Sequence, residues 1–321
     1  MTEIKPKVSV CVVTYNQEKY IRQCLQSIVD QKTDFDFEVI VCDDCSTDGT
    51  SAIVQAFADR YPDLVKPISH ATNIGPYRNY FFVHHQAIGE YIAHVDGDDY
   101  WLPGKLSTQV VFMENNKMCV AVYTNALVIG HDNRVIGVFG RNIKETFDTN
   151  YLIRDGNFLC HSSMMYKASI RDKAFSMSGD FIDYHVHIKL SENGLLGHID
   201  KNLVAYRSDS SSSIRKTVGN YIGHLYFKAI LDVDLSKVKL TSLHDAFAEF
   251  LANTMAYELV YGTFSSYRKW LSMIKTSAPI NIYMLQASAC PLFLKKVFKK
   301  IFYRLRRIAF GNNAEIIIFE K

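Results

Sequence analysis

Three carboxylates fall within four positions, in Asp96-Gly97-Asp98-Asp99, directly after the short apolar run of residues 91–95. The run is rich in strand formers, so the acids are expected where a strand stops. A glycine between Asp96 and Asp98 permits a tight turn that lets the two carboxylates converge. Gathered acids repel one another unless a cation joins them. Hard divalent ions such as Mg²⁺ or Mn²⁺ favour oxygen ligands and commonly bridge carboxylates to substrate phosphates. Taken alone, the stretch also fits a solvated acidic turn ahead of a helix, and the rest of the chain has to decide.

The elements around it show a consistent order. Residues 8–15 are a nearly continuous apolar run, as expected for a parallel strand buried on both faces. Ile21, Cys24, Leu25, Ile28 and Val29 then keep helical spacing. Residues 37–42 read as the next strand, ending in Asp43-Asp44, with several N-cap candidates at 46–49 for a helix to about Tyr61. A short strand at 64–69, a loop at 73–76 and a helix at 77–88 lead to the strand 91–95. Strand–helix alternation with short turns predicts an α/β fold: a mainly parallel, Rossmann-like sheet with helices on both faces. Ligands of such sheets sit at the carboxyl ends of the strands, where Tyr15, Asp43 and Asp96 to Asp99 all fall.

Beyond Pro103 the pattern predicts a helix at 105–115 and an alternating strand, at an edge or antiparallel, at 119–129. A loop-rich stretch follows at 131–155, then a strand or turn at 158–167, a helix at 183–193 and a strand at 196–206. From Ile214 onward the pattern is mostly helical. The expected division is a catalytic domain at 1–213 and a helical C-terminal region at 214–321, with no internal repeat.

Composition bounds the classes. At 321 residues, with 48% hydrophobic and 21% charged residues and a net charge of +3, the chain is ordinary for a globular protein. No signal peptide is visible at the start, and no run reaches the roughly 18 uncharged apolar residues that span a bilayer. Seven irregularly spaced cysteines do not form a disulfide framework and fit a reducing, cytoplasmic compartment. Cys42-Asp-Asp-Cys45 has redox-pair spacing, but two acids between the thiols oppose thiolate formation. Asp183 and His187 at i and i+4, with His185 nearby, could share a metal, yet no complementary Cys/His set appears elsewhere. A dehydrogenase is excluded because no Gly-x-Gly-x-x-Gly follows the first strand. No nucleic-acid partner is expected.

Four segments in order, Val8-Ser-Val-Cys-Val-Val-Thr-Tyr-Asn16, Val39-Ile-Val-Cys-Asp-Asp-Cys-Ser-Thr-Asp-Gly49, Asn73-Ile-Gly-Pro-Tyr-Arg-Asn79 and Gly89-Glu-Tyr-Ile-Ala-His-Val-Asp-Gly-Asp-Asp99, resemble family 2 glycosyltransferases of the GT-A fold. The resemblance is strong over about the first 110 residues, moderate to 207, and slight beyond. It implies an inverting transferase that uses a nucleotide-sugar donor with Mn²⁺ or Mg²⁺ and glycosylates a saccharide or lipid-linked saccharide in bacterial surface-polysaccharide synthesis. By the same resemblance, Tyr15 lies against the nucleobase, with Val13, Thr14 and Asn16 forming the loop around it. Asp43 accepts a base N–H, which suggests uracil and hence a UDP-sugar. Arg78 is a cation near the nucleotide, Asp96 lies near ribose and metal, and Asp98 is the direct metal ligand. Family members also carry a carboxylate base opening a helix that ends in Gly about three turns later. Asp183, with Gly194, has that form, and Asp180 is the competitor one turn too far away. Val13 stands where the family often has Pro, and Asp209 where a His commonly follows the Tyr-Arg pair, here Tyr206-Arg207.

Two other readings share the acidic site: a nucleotidyltransferase, and a non-catalytic, membrane-attached module that binds a sugar nucleotide. The first would ordinarily have a Gly-rich, basic loop, whereas Thr14-Tyr-Asn-Gln-Glu18 has neither Gly nor Arg. Residues 291–310 read as one helix with an apolar stripe (Leu294, Val297, Phe298, Ile301, Phe302, Leu305, Ile308, Ala309). Its other side carries Lys295, Lys296, Lys299, Lys300, Arg304, Arg306 and Arg307. Such a helix suits the surface of an anionic membrane, and the expected location is the inner face of the cell membrane.

Overall fold

The computed structural model describes residues 5–130, 132–140, 143–177, 179–208, 219–261, 266–310 and 317–319. In chain order the first elements are β1 (Val8–Thr14), α1 (Ile21–Val29), β2 (Phe37–Asp43), α2 (Thr50–Arg60), β3 (Val65–Ser69), α3 (Pro76–Gln86), β4 (Tyr91–Asp96), β5 (Tyr100–Trp101) and α4 (Lys105–Asn115). Next come β6 (Cys119–Ile129), β7 (Val135–Phe139), β8 (Thr146–Phe147), α5 (Thr149–Asp155), β9 (Met165–Lys167), α6 (Arg171–Ala174), α7 (Asp183–Ser191) and β10 (Leu195–Arg207). The C-terminal part holds α8 (Gly219–Leu231), α9 (Leu240–Tyr261), α10 (Ser266–Ser277), α11 (Ile282–Phe310) and β11 (Ile317–Phe319).

One sheet runs in the order β11-β7-β6-β9-β4-β1-β2-β3. Its β3-β2-β1-β4 half is wholly parallel. β9 then inserts antiparallel between β4 and β6, and β10 lies parallel to β6. Period-two alternation sends Val8, Val10 and Val12 of β1 into one core with α1, α2 and α4, while Cys11 faces the other core with α3, α7 and the C-terminal helices. In β4, Tyr91, Ala93 and Val95 join the first core and Ile92 the second. His94 and Asp96 share the parity of Ile92, so they face α3 and α7. Each fully buried Val or Ile here contributes about 1.5–3 kcal/mol.

Of the two readings of residues 119–129, the antiparallel one holds and the edge one does not: β6 pairs antiparallel with β7 and β9 and parallel with β10, and is buried along nearly its whole length, polar Thr124 and Asn125 included. Two expectations are corrected. Residues 131–155 contain β7, β8 and α5, whose elements are too short to show a period. The last helix begins at Ile282, so Pro291 lies inside it rather than at its start. The expected boundary between 213 and 214 lies outside the described residues. Phe227, Phe247, Trp270 and Leu285 of the helical region join the same core as Cys11, Ile92 and Tyr184.

Candidate active site

The turn after β4 is built by close approach. Gly97 is not among the residues with positive φ; a Cβ there would sit 2.4 Å from Gln17 Oε1 and 3.0 Å from Thr14 Cβ. Glycine is therefore required because the turn presses on the loop after β1, to which Gly97 N donates at Val13 O (2.9 Å). Asp99 turns inward: Oδ1 accepts from Arg207 N (2.8 Å) and Oδ2 from Ser162 Oγ (2.5 Å). Burial, then the neighbouring Asp98 and Asp96, push its carboxyl well above the ordinary range. Arg207 bolts the turn from the end of β10. Its Nε donates to Asp98 O (3.0 Å), its other nitrogens reach Gly130 O, Gln23 and Asn133, and its guanidinium lies 4.5 Å from the Tyr20 ring centroid.

Asp96 and Asp98 remain partly exposed. Asp96 Oδ1 accepts from His94 Nε2 (3.1 Å), and Ser162 Oγ reaches Oδ2 at 3.4 Å. Burial pushes the Asp96 carboxyl up to about 6, against the pull of His161, and the charge of Asp183 adds to the push. Asp183 opens α7 exposed to solvent, and the same charge acts on His94, His161, Tyr80 and Tyr123. The β4 turn and the start of α7 thus share one electrostatic site. Asp180 is engaged elsewhere, accepting a hydrogen bond from Tyr221 Oη.

The ends of β1 and β2 are in register at Thr14 and Asp43. Val13 is half-buried and Thr14 buried, whereas Tyr15 is 41% exposed just past the strand. Asn16 holds a left-handed φ of 51°; its N–H donates to Ser46 Oγ (2.8 Å) and its Oδ1 accepts from Thr47 N (2.8 Å). Asp43 does not cap α2, whose N-cap is Gly49; its Oδ1 instead accepts from Ser46 N and Oγ. Burial raises the Asp43 carboxyl and Ser46 opposes the rise. The unanticipated Asp44 fixes the loop before α3, accepting from Ile74 N (2.7 Å) and Gly75 N (2.9 Å). That loop needs glycine at Gly75, where φ is 89°. Arg78 then stands exposed on the first turn of α3. Asp209 lies outside the described residues.

Behind the turn is a cluster of buried histidines not anticipated from sequence. His161 Nδ1 and His187 Nε2 share a hydrogen bond (3.1 Å), and His187 packs edge-on against Tyr123. Burial lowers His94 to about 3 and His161 to about 4, and holds His84 and His187 well below the usual range. His187 is thus a fully buried core residue, turned toward His161 and Tyr123. Cys42 is pushed up to about 12 by burial and the Asp44 and Asp43 charges, which leaves it an inert thiol.

Among the described residues, no three His, Cys, Asp or Glu side chains gather closely enough to hold a metal ion alone. Asp98, partly exposed at the turn beside Asp96, offers the carboxylate oxygens that a hard divalent ion takes.

The family model described as Glycosyl transferase family 2 matches residues 9–175, more than half of the chain. The chain belongs to this glycosyltransferase family. An uncharacterized Mycobacterium tuberculosis protein is 33% identical over 202 residues, which are 62% of this chain and 58% of that protein, so the chain spans less than two thirds of that relative's length. The poly(ribitol-phosphate) beta-N-acetylglucosaminyltransferase TarS of Staphylococcus aureus is 34% identical over 143 residues, 44% of this chain and 23% of TarS. The crystal structure of TarS 1-349 in complex with UDP-GlcNAc matches with a TM-score of 0.64 at 22% identity, covering 92% of each chain. A mannosyltransferase from Pyrobaculum calidifontis in complex with GDP-Man and Mn²⁺ matches at 0.58 and 19% identity, covering 97% of this chain and 89% of that one. At these identities the structural likeness shows the GT-A fold. The family match gives no support to a nucleotidyltransferase.

Proposed function

We propose that this chain is an inverting glycosyltransferase that moves a sugar from a UDP-sugar to a hydroxyl of a saccharide or lipid-linked saccharide during surface-polysaccharide synthesis. The observation that carries the reading is geometric: His94 on Asp96, His161 against His94 and His187 bonded to His161 run from the acidic turn to α7, the helix that Asp183 opens, so the candidate base and the turn lie on one side of the sheet. The exposed ring of Tyr15 offers a stacking face for the base, framed by Val13, Thr14 and Asn16. Asp43 accepts the uracil N3–H. Arg78 supplies positive charge near the nucleotide, Asp96 faces the ribose, and Asp98 ligates the ion. Mn²⁺ or Mg²⁺, when bound, neutralises the charge growing on the departing diphosphate. The complexes of TarS with UDP-GlcNAc and of the mannosyltransferase with GDP-Man and Mn²⁺ support a nucleotide-sugar donor and a divalent ion.

Asp183 accepts the acceptor's hydroxyl proton as its oxygen forms a bond to the anomeric carbon and the bond to the diphosphate oxygen breaks. A single displacement inverts that carbon. With Mn²⁺ and a panel of UDP-hexoses and UDP-N-acetylhexosamines, proton NMR of the first-formed product should show the inverted anomer. A first-formed product with retained configuration contradicts the mechanism.

Residues 1–213 form the catalytic unit in this reading, and 214–321 attach it to the inner face of the cell membrane. One side of α11 packs inward through Leu285, Ala289 and Leu292, while Tyr283, Met284 and Leu294 are 84%, 64% and 48% exposed on the other. Of the seven cations, Lys295 is exposed and Lys296 is paired with Glu249; the side chains beyond Val297 lie outside the described ones. No helix of the described residues is long and apolar enough to cross a membrane.

A further inference from the structure

Four side chains from three elements form a buried chain that ends on Asp96. Tyr166 of β9, His84 of α3 and His94 of β4 are each fully buried. The Tyr166 hydroxyl lies 2.9 Å from His84 Nδ1, His84 Nε2 lies 3.1 Å from His94 Nδ1, and His94 Nε2 lies 3.1 Å from Asp96 Oδ1. The fold fixes this line. β9 pairs with β4 so that Tyr166 faces Ile92, two residues before His94, and α3 lies over the same face of the sheet.

The protons can be assigned from the acceptor end. An ionised carboxylate only accepts, so His94 Nε2 carries its proton and donates. A neutral imidazole has one N–H, so His94 Nδ1 is bare and accepts from His84 Nε2–H. His84 Nδ1 is then bare in turn and accepts from the Tyr166 hydroxyl. Every hydrogen bond points the same way, toward Asp96, and each polarises the next. Neither ring can flip without breaking two bonds in a place that water does not reach.

We infer that Tyr166, His84 and His94 are positioning residues: a one-way hydrogen-bond chain that pins Asp96 Oδ1, with Ser162 Oγ 3.4 Å from Oδ2, and so fixes the carboxylate that meets the bound nucleotide. The inference rests on the proposed placement of Asp96 in the donor site. Its logic is that of a triad, in which a buried group orients a reacting one without touching substrate. A carboxylate held in this way cannot rotate, so the donor meets a preformed contact.

The test is the affinity for UDP with saturating Mn²⁺, measured by titration calorimetry alongside a melting curve for each variant. His94→Phe keeps the ring and removes the donor, and should weaken UDP binding about tenfold, the size expected of a lost hydrogen bond to a charged group. His94→Gln restores an N–H near the position of Nε2 and should recover part of the loss. Tyr166→Phe removes only the far hydroxyl and should weaken binding about twofold to fivefold. In an Asp96→Ala background, Tyr166→Phe should have no further effect. Persistence of the Tyr166→Phe loss in that background would make the chain merely structural and overturn the inference. So would unchanged affinity in His94→Phe when Asp96→Ala binds weakly, and the donor reading would survive it. Unchanged affinity in Asp96→Ala itself, or a wild-type protein that does not bind UDP, overturns the donor reading and the inference together. If His94→Phe fails to fold, His94→Gln and Tyr166→Phe decide.

Discussion

At the scale of single residues, the acids of the β4 turn have different duties. Asp99 is spent on Arg207 and Ser162, whereas Asp98 stays at the surface of the turn with its backbone carbonyl held by Arg207. Asp98→Ala should therefore abolish metal-supported transfer, by about 100-fold or more, while leaving the melting temperature of the metal-free protein within a few degrees. Asp183→Asn removes only proton acceptance, so it should keep UDP and Mn²⁺ affinity and lose kcat by a similar factor. Transfer assays with calorimetry separate the two; an active Asp183→Asn beside a dead Asp180→Asn would reverse the choice of base. The acids and Tyr15 were legible in sequence because a strand end announces itself locally. The role of Gly97 was not: the contact that requires a glycine is with Gln17 and Thr14, eighty positions away. His94 was hidden as well, since one histidine in an apolar run shows nothing of partners supplied by α3 and β9.

At the scale of elements, the alternating N-terminal half was readable because parallel strands and their helices repeat a local pattern. For β6 the alternation left an edge and an antiparallel strand both open, and only the antiparallel one holds. Its neighbours β7, β9 and β10 all come later in the chain, so the sequence up to that point could not decide. The start of α11 was missed because Pro291 imitates a helix beginning; inside a helix proline loses its N–H bond and crowds the carbonyl four residues back, a cost that tertiary packing has to offset. Leu285, Ala289 and Leu292 supply that packing. The outward side of α11 gives its own prediction. Wild-type protein should sediment with vesicles rich in anionic lipid at low salt and be partly released at high salt. Replacing the seven cations of residues 295–307 with Gln should abolish sedimentation without altering UDP affinity. Wild-type protein that stays in the supernatant at both salt concentrations ends the membrane reading.

For the molecule as a whole, the buried histidines tie stability to pH. His94 is lowered to about 3 and His161, His185 and His198 to about 4, chiefly by burial, and His84 and His187 lie well below their usual value. A folded pKa below the unfolded value of about 6.5 stabilises the protein above that pH, and the stabilisation is lost as pH falls toward 4. Asp96, at about 6, Asp99 and Asp43 have the opposite sign: their raised carboxyls favour the folded state in acid and cost stability as pH rises. Six histidines outweigh three acids, so the melting temperature should fall by about 10 °C or more between pH 7 and pH 5. A flat melting profile over that range would show that the cluster is not held neutral.

The most direct test of the reaction centre is a thermal-shift panel of UDP-, GDP-, TDP- and CMP-sugars, each with and without Mn²⁺, on the wild-type chain. A base pocket at Tyr15 and Asp43 joined to a metal at Asp98 predicts selective stabilisation by a UDP-sugar, large with Mn²⁺ and small without it. No stabilisation by any nucleotide sugar, or equal stabilisation with and without Mn²⁺, would contradict it.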